Sequence, residues 1–230
     1  MFDRIRKALS REAKPQDAGP SSLQHGPVSE WAAQEGLTVS QSGGETVSVV
    51  GQIAGSSPWR LELGPSTRTY IRGDELRCRA ELGLDEEISV LVMNRPLKEA
   101  LERKAYSMIT DTLQTTADPG LPEEMRWLAM YDEVGGDALP AKFWSRYAVM
   151  AHRREHAVQW IDPPLCQMLL DWPMPAPSLE TPFLLIVLRG KAYLRMEYSP
   201  AEMTTLQHAA IIFTAACESA VGGFSAHIDL

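Results

Sequence analysis

Alternation and helical periodicity divide the chain before any chemistry is considered. Phe2, Ile5 and Leu9 recur at helical spacing, with Ala8 beside them and basic residues largely opposite, the pattern of a short amphipathic helix. Residues 13–27 carry three prolines, two glycines and two serines among few large apolar groups, which reads as a flexible linker. The folded body is expected to begin near Val28. A short helix follows over 29–35, capped by Ser29, anchored by Trp31 and Ala32 and ended at Gly36.

Strands dominate the next stretch. Residues 46–53 are β-branched and bounded by glycines, and 59–63 alternates as a partner strand across turn-forming residues. Over 70–82 the alternation is clearest, with Leu76, Cys78, Ala80 and Leu82 on one face and Glu75, Arg77, Arg79 and Glu81 on the other. A more apolar strand is expected over 87–93. Asn94 and Pro96 then open a helix whose stripe is Leu97, Leu101, Ala105, Met108 and Ile109.

Residues 124–134 suit either a strand or a helix and are read as a strand. The spacing of Phe143, Tyr147, Met150 and Ala151 predicts a helix over 140–156, and Asp162-Pro163-Pro164 forces a break before a shorter helix over 165–171. Residues 183–188 and 192–198 form a hairpin around Arg189-Gly190-Lys191. Ser199-Pro200-Ala201-Glu202 has the form of a capping box, opening a last helix that runs to Val221 and stops at Gly222-Gly223. That helix is apolar nearly all round, as expected of a buried one.

The order of elements predicts an α+β fold, with mainly antiparallel sheet and packed helices around a buried C-terminal helix. The expected organisation is a basic amphipathic arm (1–14), a flexible linker (15–27) and a single α+β domain (28–230), with 115–122 the place where two subdomains would part.

Composition supports a real core, since 44% of the 230 residues are hydrophobic and 23% charged. Cys78, Cys166 and Cys217 are far apart within apolar patterns, which points to buried thiols in a reducing compartment. No apolar run has the length of a signal peptide or a spanning helix, so a cytoplasmic protein is expected. The net charge of −8 argues against nucleic acid as a partner. It is unevenly spread: five basic against two acidic residues give the first fourteen a net of +3, leaving −11 for the rest.

Three groups of residues could carry function. His152, Glu155 and His156 have the His-x-x-Glu-His spacing of inverted zinc peptidases, where histidines at i and i+4 of one helix share a metal. The match spans five residues, and a solvated helix end is the favoured reading. Arg68, Arg72, Arg77 and Arg79 lead into and along the best strand, where alternate arginines can receive carboxylates or phosphates in bidentate fashion. Pairing of Arg77 and Arg79 with acidic neighbours such as Glu62 across the sheet is the favoured alternative. Third, Phe2, Arg4, Ile5, Lys7 and Leu9 of the arm could dock on a partner or an anionic membrane surface.

No phosphate-binding glycine loop, nucleophile elbow or Cys-x-x-Cys pair occurs. The expected function is therefore a non-enzymatic interaction protein (an adaptor, chaperone-like or regulatory protein) without cofactor, whose partner is another protein. A metal-dependent hydrolase at His152, Glu155 and His156 is the alternative.

Overall fold

In the computed structural model the described residues are 25–42, 46–53, 57–112 and 123–225. The chain enters through α1 (His25–Gln34) and a meander of β1 (Thr38–Ser42), β2 (Thr46–Gln52), β3 (Pro58–Pro65) and β4 (Asp74–Glu81). Then come β5 (Ser89–Asn94), α2 (Arg95–Thr112), α3 (Glu123–Met130) and β6 (Asp132–Val134). The remainder is α4 (Ala141–Arg146), β7 (Tyr147–Ala151), α5 (Arg154–Trp160), α6 (Pro163–Leu170), β8 (Phe183–Leu188), β9 (Lys191–Glu197) and α7 (Met203–Ser225). The fold is α+β, as the pattern of elements predicts.

Among the described residues the nine strands join one sheet in the order β1-β2-β3-β4-β9-β8-β5-β7-β6, every pair antiparallel. The β8–β9 hairpin is inserted between β4 and β5, so β4 pairs with a strand more than a hundred residues away. The alternation of β4 is realised: Leu76, Cys78 and Ala80 join the main core, facing α7, where Phe213 meets Trp59 edge to face. On the opposite side of the sheet, α2 and α3 pack on β8, β5 and β7. Leu97, Leu101, Met125 and Trp127 pack there on Leu91, Met93, Met150, Leu184 and Ile186.

Tertiary packing overrides several local expectations. The helix read over 140–156 is three elements: α4 ends at Arg146, β7 lies in the sheet between β5 and the edge strand β6, and α5 starts only at Arg154. Every residue of β7 is buried, so a helix-like spacing of apolar residues is here a short strand covered on both faces, a case periodicity alone does not separate. Residues 124–134, read as a strand, are mostly α3, with only Asp132–Val134 extended. The amphipathic contrast of buried Met125 and Trp127 with exposed Ala129 and Met130 fits a helix lying on the sheet.

Smaller shifts follow the same logic. α1 begins three residues ahead of Val28, because Val28, Trp31 and Ala32 together make its buried i, i+3, i+4 face; residues 25–27 are thus helix rather than linker. β1 has no counterpart among the expected strands. The capping box over 199–202 does not start α7, which begins at Met203 after Tyr198 has extended the ladder by bonding Asp74 O through its backbone N–H (2.9 Å). At its other end α7 runs through Gly222 and Gly223. A Cβ at Gly223 would meet Gln159 O at 3.3 Å, and Gln159 Nε2 donates to Gly223 O (2.6 Å), so the glycine admits α5 against α7. The last helix is buried along most of its circumference, with Thr204, Ile211, Glu218 and Gly222 forming one exposed stripe. The arm, most of the linker and the boundary at 115–122 lie outside the described residues.

Candidate functional site: a charged sheet face

Where α2 and α3 stop, the second face of β3, β4 and β9 carries charge instead of hydrocarbon. Register places it in rows. Ser48, Glu62, Arg77 and Arg195 are successive neighbours across four strands, and the row continues into Leu184 and Met93 beneath the helices. The adjacent row runs Val50, Arg60, Arg79, Tyr193, Ile186 and Leu91. One sheet surface therefore passes from a charged half to an apolar half along the same rows.

Arg77 and Arg195 face each other directly, an arrangement that like charges disfavour. Glu75 offsets it. Fully buried at the start of β4, Glu75 holds Arg195 Nη1 at 2.7 Å through Oε1 and lies 3.9 Å from Arg77 Nη1 through Oε2. It also accepts from the backbone N–H of Thr67 (3.2 Å). Arg77 reaches Glu62 at 3.4 Å, and Glu62 stands 3.7 Å from Arg60. These groups form a continuous chain of three arginines and two glutamates. The expected pairing of Arg77 with Glu62 is present, whereas Arg79 bonds Glu81 on its own strand (3.2 Å).

A second buried carboxylate lies beside the first group. Glu124 of α3 is 1% exposed; its Oε1 sits 2.7 Å from Arg68 Nε, in an ion pair without an aligned N–H, and accepts from the Tyr70 hydroxyl (3.1 Å). The β3–β4 loop is thus tied to helix α3. Burial, and then the charge and hydrogen bond of Glu124, push the Tyr70 phenol far up, against opposing pulls from Arg195 and Arg68. Tyr70 stays a neutral donor.

Two depressions open on this surface. One, about 230 Å³, has Arg68, Arg189, Lys191 and Arg195 around it, Glu123 as its single acid, and Trp127 and Tyr193 among its walls. The other, about 310 Å³, lies over the arginines of β3 and β4, with Arg60, Arg77 and Arg79 beside Glu62 and Glu81. Lys191 pairs with Glu81 (3.2 Å), and Arg189, at the left-handed position of the hairpin turn, has no ion pair among the described residues. The chemistry available is anion binding: guanidinium groups held in place by buried carboxylates retain further N–H donors in a fixed fork, next to flat aromatic surfaces.

Arg68, Arg77 and Arg79 therefore belong to the charged face. Arg72 lies in an exposed turn outside both depressions, where its backbone N–H donates to Glu197 (2.7 Å). Phe2, Arg4, Ile5, Lys7 and Leu9 lie outside the described residues. His152, Glu155 and His156 do not share a helical face: His152 sits beyond the end of β7, its backbone N–H on Ser89 O, while Glu155 and His156 are in the first turn of α5. His156 lies edge-on to Phe224 with ring centres 5.6 Å apart, and burial, then the Arg153 charge, holds its pKa below the ordinary histidine value. Among the described residues no group of three or more His, Cys, Asp or Glu side chains is placed to hold a metal ion.

Sequence reasoning missed Arg189, Lys191, Tyr193 and Arg195, although Lys191, Tyr193, Arg195 and Glu197 alternate along β9 with buried neighbours. The polar face was legible; the pairing of β9 with β4 was not. No helix among the described residues is long and apolar enough to cross a membrane. Comparison of the chain with protein families, with characterised proteins and with solved structures gives no match.

Proposed function

We propose that this is a non-enzymatic interaction protein that receives an acidic segment of a partner protein on the charged sheet face. The reading rests on one observation: Arg195 and Arg68 are each fixed by a buried glutamate, Glu75 and Glu124, at the edge of a depression that also presents Trp127 and Tyr193. A buried carboxylate is costly to desolvate, and held arginines give a partner preorganised donors in return. Carboxylates of the segment would engage the guanidinium groups, and an aromatic or aliphatic residue beside them would lie on the two rings.

The arm completes the proposal, its cationic face engaging an acidic partner or an anionic membrane surface. Three buried, unpaired cysteines support a reducing compartment such as the cytoplasm.

Fluorescence anisotropy with a labelled peptide of alternating glutamate and phenylalanine tests the reading. We expect saturable binding that weakens as salt rises, no binding of the matching lysine peptide, and a loss of about tenfold or more in Lys191→Glu/Arg189→Glu, two changes at solvent-facing positions. Equal binding of both peptides, or unchanged affinity in the charge-reversed protein, would overturn it.

A further inference from the structure

On the far side of the molecule, a cavity of about 250 Å³ lies between the loop that joins β6 to α4, strand β7 and helix α5. Its walls are Val134, Leu139, Trp144, Val149 and Ile161, and Asp162 places a carboxylate at its rim. Such a space differs from a packing defect in two ways. Its walls are fixed on rigid parts: Val149 belongs to a fully buried strand, and Ile161 closes α5 through a backbone bond to Ala157 O (3.0 Å). It is also open to solvent beside Val158, which is 49% exposed. Water in it finds few polar partners, and an apolar group that displaces poorly held water gains affinity.

Asp162 supplies direction. Its Oδ1 accepts from the backbone N–H of Leu165 (2.8 Å) as the cap of α6, which fixes the carboxylate in place, and no bond among the described residues occupies the other oxygen. We propose that this cavity is a second binding site, for a small organic amine with an apolar ring: the ring fills the hydrocarbon-lined space and the ammonium group meets Asp162. At the close-packed density of protein interiors, about 0.75, the space suits a molecule of about ten non-hydrogen atoms. Neither the acidic-segment site nor the arm takes part, so the two proposals stand or fall separately.

The probe is 2-phenylethylamine, with ethylbenzene as the same hydrocarbon without the amine, each titrated into the full chain by ligand-observed NMR. We expect single-site saturable binding of the amine, at least tenfold weaker binding of ethylbenzene, and a similar loss in Asp162→Asn, which keeps a competent helix cap. Val158→Trp, at the exposed lip, should abolish binding while leaving the melting temperature unchanged. No saturable binding of the amine, or binding that survives Val158→Trp, overturns the site; ethylbenzene binding as tightly as the amine overturns the role of Asp162.

Discussion

Replacing Glu124 by methionine tests how much of the fold depends on the buried carboxylate under the charged face. Methionine keeps the volume, so no cavity term enters, and what changes is electrostatic. The Tyr70 hydroxyl loses the acceptor it has at 3.1 Å, which for a buried hydroxyl costs about 1–3 kcal/mol. Arg68 loses its buried counter-charge. Removing one member of a fully buried pair costs about 3–5 kcal/mol, but the Arg68 side chain is 29% exposed and remains partly hydrated, so its share falls well below that range. The two together predict a loss of about 3 kcal/mol, a fall of about 6–12 °C in Tm for a chain of this size. Removing both charges, in Arg68→Met/Glu124→Met, leaves only the tyrosine hydroxyl unpaired and should recover part of the loss, to about 1–2 kcal/mol below the parent. Urea unfolding of the parent, both single variants and the double variant measures the coupling. A Glu124→Met protein within about 1 kcal/mol of the parent, or a double variant losing the full sum of the singles, would refute the account of this buried pair.

Alkaline pH should unfold the protein. Burial raises the phenols of Tyr70, Tyr147 and Tyr198, helped at Tyr70 by Glu124 and at Tyr198 by Glu202 and Asp74, so the folded state keeps protons that the unfolded chain releases near pH 10. Stability is then intact below about pH 10 and falls above it, and a flat urea midpoint between about pH 8 and 11 would contradict this. Cys78 and Cys217 are buried with thiols pushed well up by desolvation, and Cys166 is buried and raised in the same way, so a thiol reagent should label none of them before denaturation; rapid native labelling of Cys217 would displace α7 from the core. A chain starting at His25 should melt within about 2 °C of the full chain, whereas one starting at Leu37 loses Val28, Trp31 and Ala32 from the core and should melt well below it; equal melting of the two would remove α1 from the stability of the fold.

The elements legible in the sequence are those whose partners lie nearby. The β2–β3 pair, the β8–β9 hairpin and α2 follow from alternation, turn residues and a proline-marked helix start, and all stand within a few residues of their expected bounds. Where a distant partner decides, local pattern misleads. Tyr147 and Met150 look helical until β5 and β6 flank them, and Met125 and Trp127 look strand-like until the sheet lies beneath them. The site divides in the same way. Arg77 and Arg79 are exposed by their own alternation, but Glu75 reads as one more outward residue of β4, and only the apposition of Arg77 and Arg195 explains a buried acid there. The helical metal-binding reading of His152 and His156 fails because the residues before His152 are committed to a buried strand of the sheet.

The position of the hairpin between β4 and β5 sets the schedule by which a chain leaving the ribosome can become this sheet. Once β1 to β4 have emerged, β4 has one paired edge and one open edge, and its other neighbour, β9, begins about 110 residues later. At a synthesis rate of about 5–20 residues per second, that edge waits about 5–20 seconds with Leu76, Cys78 and Ala80 uncovered, because α7, which buries them, is made later still. The meander is thus a nascent sheet edge of the kind that pairs with other chains. Its charged outer positions, Glu75, Arg77, Arg79 and Glu81, are in place throughout that interval, giving one surface to two roles: a guard against association during synthesis and a charged face in the finished protein.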